Sequence, residues 1–529
     1  MPSHSRRLQN QAAAIGLLAV AAALGAGHFV AGLLLTPSSS PFVAVADTAI
    51  DLTPAAVKEF AIERFGTNDK RALLVGMAVV LAVAGAAIGL MSRRRRWPGL
   101  AAVGVLGAVG VAAVLSQSGP IVGLLAPATS VLVGMAVFWW LHQWASPQSP
   151  HSEGEAATAS QGSPPVERRR FLLGSLATGV AAALAALGGV ALFRRVDVEE
   201  SRRGIGALVP TKPAPRIPPN AAFPELGTPT FITPSPDFYR VDINIAVPRV
   251  RADDAVLRIT GMVDQVVEFT FDEIRRMPLV EKTITMACVS NPVGGPYVST
   301  SNFLGVPLMD LLEKAGVQPG ATQVVGHSVD GFTLGTPLQM IRDAGDDALL
   351  VIGMNREPLL PAHGFPMRTV VAGLYGYVSA TKWVKELELA TYDVQPYWVA
   401  RGWDGKPPGL APIKIASRID APESFQRVSA GRVTIAGTAW APGRGISRVD
   451  VRIDDGGWEP AELSAEVNPN TWRMFRLTKQ VPDGQHTVTC RAVDGAGVMQ
   501  AEERLAALTP GPTPDGATGW HSIVFSVGS

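Results

Sequence analysis

Cys288 is one of only two cysteines in 529 residues, and it stands where a short strand gives way to a run of turn-formers. Ile284 and Met286 alternate with polar residues and read as a short strand running into the thiol. Ser290, Asn291, Pro292, Gly294, Gly295 and Pro296 follow, all turn-formers. A thiol at the mouth of a strand, held in a tight loop, is placed to act as a nucleophile or as a soft ligand to a redox metal, both through its thiolate form. Two plainer roles compete: a lone cysteine is often a small buried hydrophobe, and in an oxidising compartment Cys288 could pair with Cys490. Cys490 sits in Thr487-Val-Thr-Cys-Arg-Ala-Val, a strand pattern in which packing is the expected role.

Three pieces of sequence in fixed order decide between these roles: the stretch Thr283–Leu308 with Cys288, then His363-Gly-Phe-Pro-Met-Arg368, then Gly376…Lys382-Trp383. Together they resemble the sulfite oxidase family of molybdopterin enzymes, and the C-terminal stretch resembles that family's immunoglobulin-like dimerisation domain. The resemblance runs from about Phe231 to Val527. It implies an oxygen-atom-transfer enzyme carrying a molybdenum-molybdopterin cofactor, with Cys288 as the protein's thiolate on the metal. It further implies that Asn291, His363, Arg368 and Lys382 contact the cofactor and that Arg240, in Phe238-Tyr239-Arg240, lies at the active site. An anionic cofactor phosphate calls for such cationic donors. Tyr375 could place a phenol near the metal, although packing is its plainer role.

The departure from the family pattern is in the cysteine loop. Sulfite oxidases carry Cys-x-Gly-Asn-Arg-Arg there; this chain has Cys288-Val-Ser-Asn-Pro-Val293. Asn291 is kept, but Pro292 and Val293 stand where two arginines would face an anionic substrate. Losing such a partner costs anion binding several kcal/mol, on the order of the values for charged pairs. A neutral or less charged oxo-substrate, such as a sulfoxide, is therefore expected to suit the site better than sulfite.

The elements that must position these residues are of three kinds. Segments 12–35, 72–91, 99–115, 121–144 and 171–193 are apolar runs long enough to cross a bilayer. They explain a mean hydropathy of +0.21. Thr53-Pro54, with Gly66 beyond, suggests a further helix, either interfacial or docking or a plain surface helix. Arg93–Arg96 place the second connection in the cytoplasm, and Pro41–Arg71 outside, by the positive-inside rule. Residues 146–167, rich in Ser, Gly, Pro and Ala, read as a cytoplasmic linker. Arg168-Arg169-Arg170-Phe171-Leu172 then resembles a twin-arginine export signal ahead of the fifth span. The expected location is a bacterial cell membrane, with the catalytic part on the extracytoplasmic side.

Residues 1–196 thus form an all-α membrane region, 197–236 a proline-rich linker that is largely extended over Val209–Pro236, 237–422 an α+β molybdopterin domain and 423–529 an immunoglobulin-like β-sandwich. Short alternating runs separated by Asp454-Asp-Gly-Gly, Pro482-Asp-Gly and similar turns mark the sandwich, with Trp440, Trp458, Trp472 and Trp520 expected in its core. A formal net charge of +1 gives no support to nucleic-acid binding. Two cysteines exclude a cysteine-ligated iron–sulfur cluster. His28 and His142 fall at depths differing by roughly 20 Å along their helices and cannot share one haem iron. A separate redox partner, a cytochrome or a quinone, is expected, and a homodimer through the C-terminal domain. The reading from another class is a non-catalytic membrane-anchored binding module.

Overall fold

The computed structural model describes residues 2–53, 57, 64, 69–117, 121–145, 165–403, 412–506 and 516–528. They fall into two compact units: Met1–Val196 with Ile243–Val247, and Asp197–Asp242 with Pro248–Ser529.

The first unit is helical. Pro2–Leu33, Asp69–Met91, Trp97–Leu115, Leu125–Ala145 and Pro165–Phe193 are helices. By length and composition, five helices could cross a membrane, in agreement with the five apolar runs. Small residues let them approach closely: a Cβ on Gly16 would strike the carbonyl oxygen of Gly85, and one on Gly89 that of Ala12. A short helix, Pro41–Leu52, was not legible in the sequence. Its buried Asp47 accepts a hydrogen bond from the Ile245 N–H at 2.9 Å, and Lys70 Nζ donates to the Asn244 carbonyl at 2.8 Å. The helix expected after Pro54 and the linker 146–164 lie outside the described residues. His28 Nδ1 meets Ser40 Oγ at 3.0 Å, and His142 Nε2 meets the Ser92 carbonyl at 2.8 Å, so the two histidines serve separate local contacts.

The second unit begins with a short helix, Val198–Gly204, capped by Asp197, where the sequence had suggested only linker. The proline-rich segment after it is largely extended, as its composition predicts, but it is not a free tether. The Thr211 N–H donates to the Leu279 carbonyl at 2.8 Å, the Thr233 N–H to Thr300 at 2.9 Å, and the Ala465 N–H to Asn220 at 2.9 Å. Proline removes donors from a chain but leaves carbonyls and the intervening N–H groups free to bond a neighbouring surface.

Two sheets follow. One runs Val267–Thr270, Val256–Gly261, Val384–Ala390, Gln323–Ser328, Thr333–Pro337. The other runs Val280–Ala287, Val298–Pro307, Ala348–Met354, Glu357–Pro358, with Arg368–Val371 also paired to Ala348–Met354. Thr270 and Glu273 form the expected capping box of the helix Phe271–Arg276. Val280–Ala287 is an edge strand, and its outer side is closed rather than exposed. The Glu281 N–H reaches the Lys212 carbonyl and the Thr285 N–H the Asn470 carbonyl, each at 2.9 Å.

The C-terminal part is a two-sheet β structure: Ala416–Ala421, Gly431–Trp440, Arg473–Val481, Glu462–Leu463 against Arg427–Val428, His521–Val527, Gly484–Asp494, Ile446–Ile453, Glu459–Pro460. Its core is aliphatic with two phenylalanines, among them Ile435, Val449, Phe475, Val488 and Phe525. The tryptophans do not fill it. Trp458 and Trp520 lie edge to face beneath the guanidinium groups of Arg452 and Arg491. Trp472 faces the other domain: its backbone N–H donates to Thr285 Oγ1 and its indole N–H to the Phe231 carbonyl. An indole carries a polar N–H that must be partnered, which favours a seam over a dry core.

Candidate active site

The strand Val280–Ala287 delivers Cys288 into a loop that is pinned at every turn. The Cys288 N–H donates to the Tyr297 carbonyl at 3.0 Å, and Asn291 Oδ1 accepts from the Tyr297 N–H at 2.8 Å. Gly294 sits at φ +78°, a conformation that disfavours side chains. The C-terminal domain braces the same loop. Arg418 Nη1 donates to the Gly295 carbonyl at 2.8 Å, and the His521 ring lies against Gly294. The Ile419 N–H donates to His521 Nδ1 at 3.0 Å. The proton therefore sits on Nε2, the nitrogen at Gly294. Asn291 thus shapes the loop through its carbonyl oxygen.

Cys288 Sγ lies 3.0 Å from Ser290 Oγ, and both cysteines are free thiols. Burial raises the Cys288 pKa, although hydrogen bonds from Ser290 work against it. Burial and loss of polar partners favour the protonated thiol until a cation displaces the proton. Cys490 is fully buried on a sandwich strand, 3.3 Å from Ser417 Oγ, with its pKa pushed up to about 12 by burial. That is the inert packing cysteine expected from its strand.

A buried cation lies against Met286, on the strand that leads to Cys288. Arg368 is 5% exposed; Nη1 donates to the His363 carbonyl at 3.2 Å and Nη2 approaches Met286 Sδ at 4.0 Å. Its Nε has no hydrogen-bond partner, and among the described residues no carboxylate pairs with it. Burial lowers its pKa to about 10. An uncompensated buried guanidinium is costly and calls for an anionic occupant. His363 is buried beside it, edge-on to Phe238, with its pKa pushed down to about 4 by burial and then by the Arg368 charge. It is neutral near pH 7 and can act as a hydrogen-bond partner rather than a cation.

Lys382 is held differently. Its Nζ is ion-paired with the buried Asp242 and donates to the Val241 carbonyl at 3.1 Å. Arg240 pairs with the same carboxylate through Nε. These two cations therefore share Asp242, where the motif had suggested independent contacts. The backbones of Lys382 and Arg368 are bridged, and Gly364 packs against both, leaving no room for a Cβ.

The sequence reading missed Tyr239. Its phenol is buried near enough to Cys288 and Arg368 for both to influence it, and its pKa is raised, chiefly by burial. The hydroxyl also faces Gly376. Its adjacency to Arg240 was the one available signal.

Beside Cys288 is a cavity bounded by Pro292, Val293, Tyr375, Lys414, Ile415 and Trp440, among others. Tyr375, whose hydroxyl accepts the Lys414 N–H at 3.3 Å, is thus a wall residue beside the cysteine. Arg240 and Arg368 are not part of this wall.

A strand-borne thiol with an unpaired buried cation against its strand fits an anionic, soft-metal cofactor. Residues 244–398 match the model for the oxidoreductase molybdopterin binding domain, and residues 410–513 that for the Mo-co oxidoreductase dimerisation domain. The chain thus carries a match to a molybdopterin-binding domain followed by a match to the dimerisation domain of such oxidoreductases. Mitochondrial sulfite oxidase of Homo sapiens is 31% identical over 323 residues, covering 53% of this chain and 59% of that protein. Nitrate reductase [NADH] 1 of Arabidopsis thaliana is 28% identical, covering 48% of this chain and 33% of that protein. Among solved structures, the sulfane dehydrogenase SoxCD of Paracoccus pantotrophus is similar, with 22% identity, a TM-score of 0.48, and coverage of 58% of this chain and 85% of that one. Over these two domains the chain is similar to the molybdenum-dependent oxidoreductases of the sulfite oxidase family. It spans 59% of the length of the mitochondrial sulfite oxidases it matches.

Proposed function

We propose that this chain transfers an oxygen atom to or from a small substrate, as a sulfite oxidase-like enzyme fixed to the membrane by its helical unit. The observation that carries this is Arg368: a buried cation against Met286 on the cysteine strand, with an unpartnered Nε and, among the described residues, no carboxylate. A bound molybdenum-molybdopterin supplies the two-electron oxygen-transfer chemistry. Cys288 would hold the metal through its thiolate. Arg368 would meet the cofactor's negative charge, and neutral His363 would offer a ring nitrogen. Asn291, Arg418 and His521 hold the cysteine loop in shape. Lys382 and Arg240, through Asp242, fix the segment that carries Tyr239.

The five long apolar helices support membrane attachment. Arg93–Arg96 and the arginines from Arg168 support an arrangement with the catalytic unit on the outer face of a bacterial-type membrane, exported after cofactor insertion. The dimerisation-domain match supports a homodimer. Electrons would pass to or from a separate cytochrome or quinone.

Pro292 and Val293 beside Cys288 favour a second reading of the substrate: a species less charged than sulfite, such as a sulfoxide being reduced. Metal analysis of the purified chain tests the shared claim. About one molybdenum per chain is expected from one thiolate ligand; a protein free of molybdenum after expression with molybdate would leave a binding module instead.

A further inference from the structure

Arg418, on the strand Ala416–Ala421, divides its guanidinium between two partners. Nη1 donates to the Gly295 carbonyl of the cysteine loop at 2.8 Å, and Nε donates to Asp420 Oδ1 at 2.6 Å. The guanidinium is a rigid planar fork, so fixing Nε fixes the direction in which Nη1 points. Asp420 is held in turn: Thr438 Oγ1, on the neighbouring strand Gly431–Trp440, donates to Oδ2 at 2.6 Å. The pairing of these strands shifts register between Ile419 and Ala421, so Asp420 stands at a bulge, an irregularity that re-aims side chains. The Arg418 and Asp420 side chains are 14% and 9% exposed. A buried ion pair adds little to stability compared with well-packed apolar residues; what this pair does supply is a direction for the fork. From Gly295 the bonds run back to the thiol. The Gly295 N–H donates to the Pro292 carbonyl at 2.8 Å, and the Asn291 N–H to the Cys288 carbonyl at 3.1 Å. Among the described residues Asp420 forms its hydrogen bonds with Arg418 and Thr438, and none with the loop.

We propose that Asp420 is a positioning residue for the Cys288 thiol: it acts through Arg418 on the Gly295 turn and so fixes where Sγ stands when a metal binds. The metal in this inference rests on the oxygen-transfer reading above; the linkage from Asp420 to the loop does not. Removing a group that orients a metal ligand from behind costs about ten- to a hundredfold in metal affinity or activity. His521 bears on the adjacent Gly294 from a different strand. Loss of the Asp420 carboxylate therefore loosens the loop and does not unfold it.

The test uses the full-length chain, made without molybdate for thiol labelling and with molybdate for metal analysis. Iodoacetamide labelling of the half-buried Cys288 is followed by peptide mass spectrometry, with the fully buried Cys490 reporting any opening of the sandwich itself. Asp420→Asn keeps an acceptor for Thr438 but takes the carboxylate away from Arg418. Arg418→Lys keeps the positive charge but cannot bond Asp420 and Gly295 together. Each variant should label Cys288 about tenfold faster than wild type with Cys490 unchanged, and should hold molybdenum about tenfold less well. The double variant should label no faster than either single one, because the two residues act in series. Cys288 labelled at the wild-type rate, whatever the thermal midpoint, reduces Asp420 to a structural ion pair and overturns the proposal. So does a parallel rise at both cysteines, or a double variant in which the two effects multiply. Labelling as expected in a wild type and variants that all lack molybdenum would keep the linkage and overturn the oxygen-transfer reading.

Discussion

At the scale of single residues, the site is defined by what Cys288 and Arg368 lack as much as by what they touch. Cys288 has a hydroxyl neighbour and a pKa raised by burial, so on the proposed reading a bound cation would be what draws out its thiolate. Cys288→Ser keeps the shape of the loop, because its backbone bond to Tyr297 and the Asn291 contact do not involve sulfur. Its activity should fall by more than about a hundredfold, the scale of lost metal-site ligation, while the thermal midpoint of cofactor-free protein stays within about 2 °C of wild type, the range of a near-neutral change. Assay and calorimetry check the two halves separately. Arg368→Met should part stability from loading in the opposite sense. Removing an unpaired buried charge should stabilise cofactor-free protein by about 1 kcal/mol or more, whereas the molybdenum content after expression with molybdate should drop sharply. Denaturant unfolding of protein made without molybdate, beside metal analysis of protein made with it, reads both. Cys288, His363 and Arg368 were legible because each sits in a short motif. Tyr239 was not: it reaches the site from a distant stretch, and only its adjacency to Arg240 hinted at where the chain folds back.

At the scale of elements, the cysteine loop depends on a strand from the C-terminal domain. His521 takes the Ile419 N–H on Nδ1 and has its pKa pushed down to about 4, first by burial, then by Arg418 and Arg504. The sign follows from linkage: the ordinary value is 6.5, so in acid the unfolded chain binds this proton before the folded one does. The stabilisation is present above about pH 6.5, is lost as pH falls toward about 4, and changes little below that. His363 has the same direction and adds to the slope. His521→Gln, whose amide oxygen can still accept the Ile419 N–H, should flatten the fall in thermal midpoint between pH 6.5 and 4 without abolishing it. An unchanged slope would mean that His521 does not titrate there. The strands and helices of this half were largely readable from alternation and caps, as the Thr270–Glu273 box shows. The tryptophans misled because size and hydrophobicity suggest a core, while the indole N–H of Trp472 had a partner across the seam instead.

At the scale of the whole molecule, the five apolar helices stood out in the sequence because a bilayer sets a length that composition alone can meet. What composition could not show was the fate of the proline-rich segment. Proline specifies extension but names no surface, and the bonds from Thr211 and Thr233 that strap it down depend on strands far away. The export reading belongs at this scale as well. Changing both Arg168 and Arg169 to Lys keeps their charge, so a mere topological anchor would survive. We expect the catalytic unit of that variant to become resistant to protease added to spheroplasts, with the first four helices still inserted. Unchanged cleavage would reduce the arginines to anchors.

The edge of the cysteine strand has a consequence for how such proteins can be assembled from parts. Thr285 gives its N–H to Asn470 and takes the Trp472 N–H on its hydroxyl, so the β-sandwich completes a sheet that belongs to the other domain. Trading this sandwich for an unrelated one would uncover the strand edge next to Cys288, and a chain cut at the boundary of the two modules would present to its own copies the pairing edge that Asn470 normally covers.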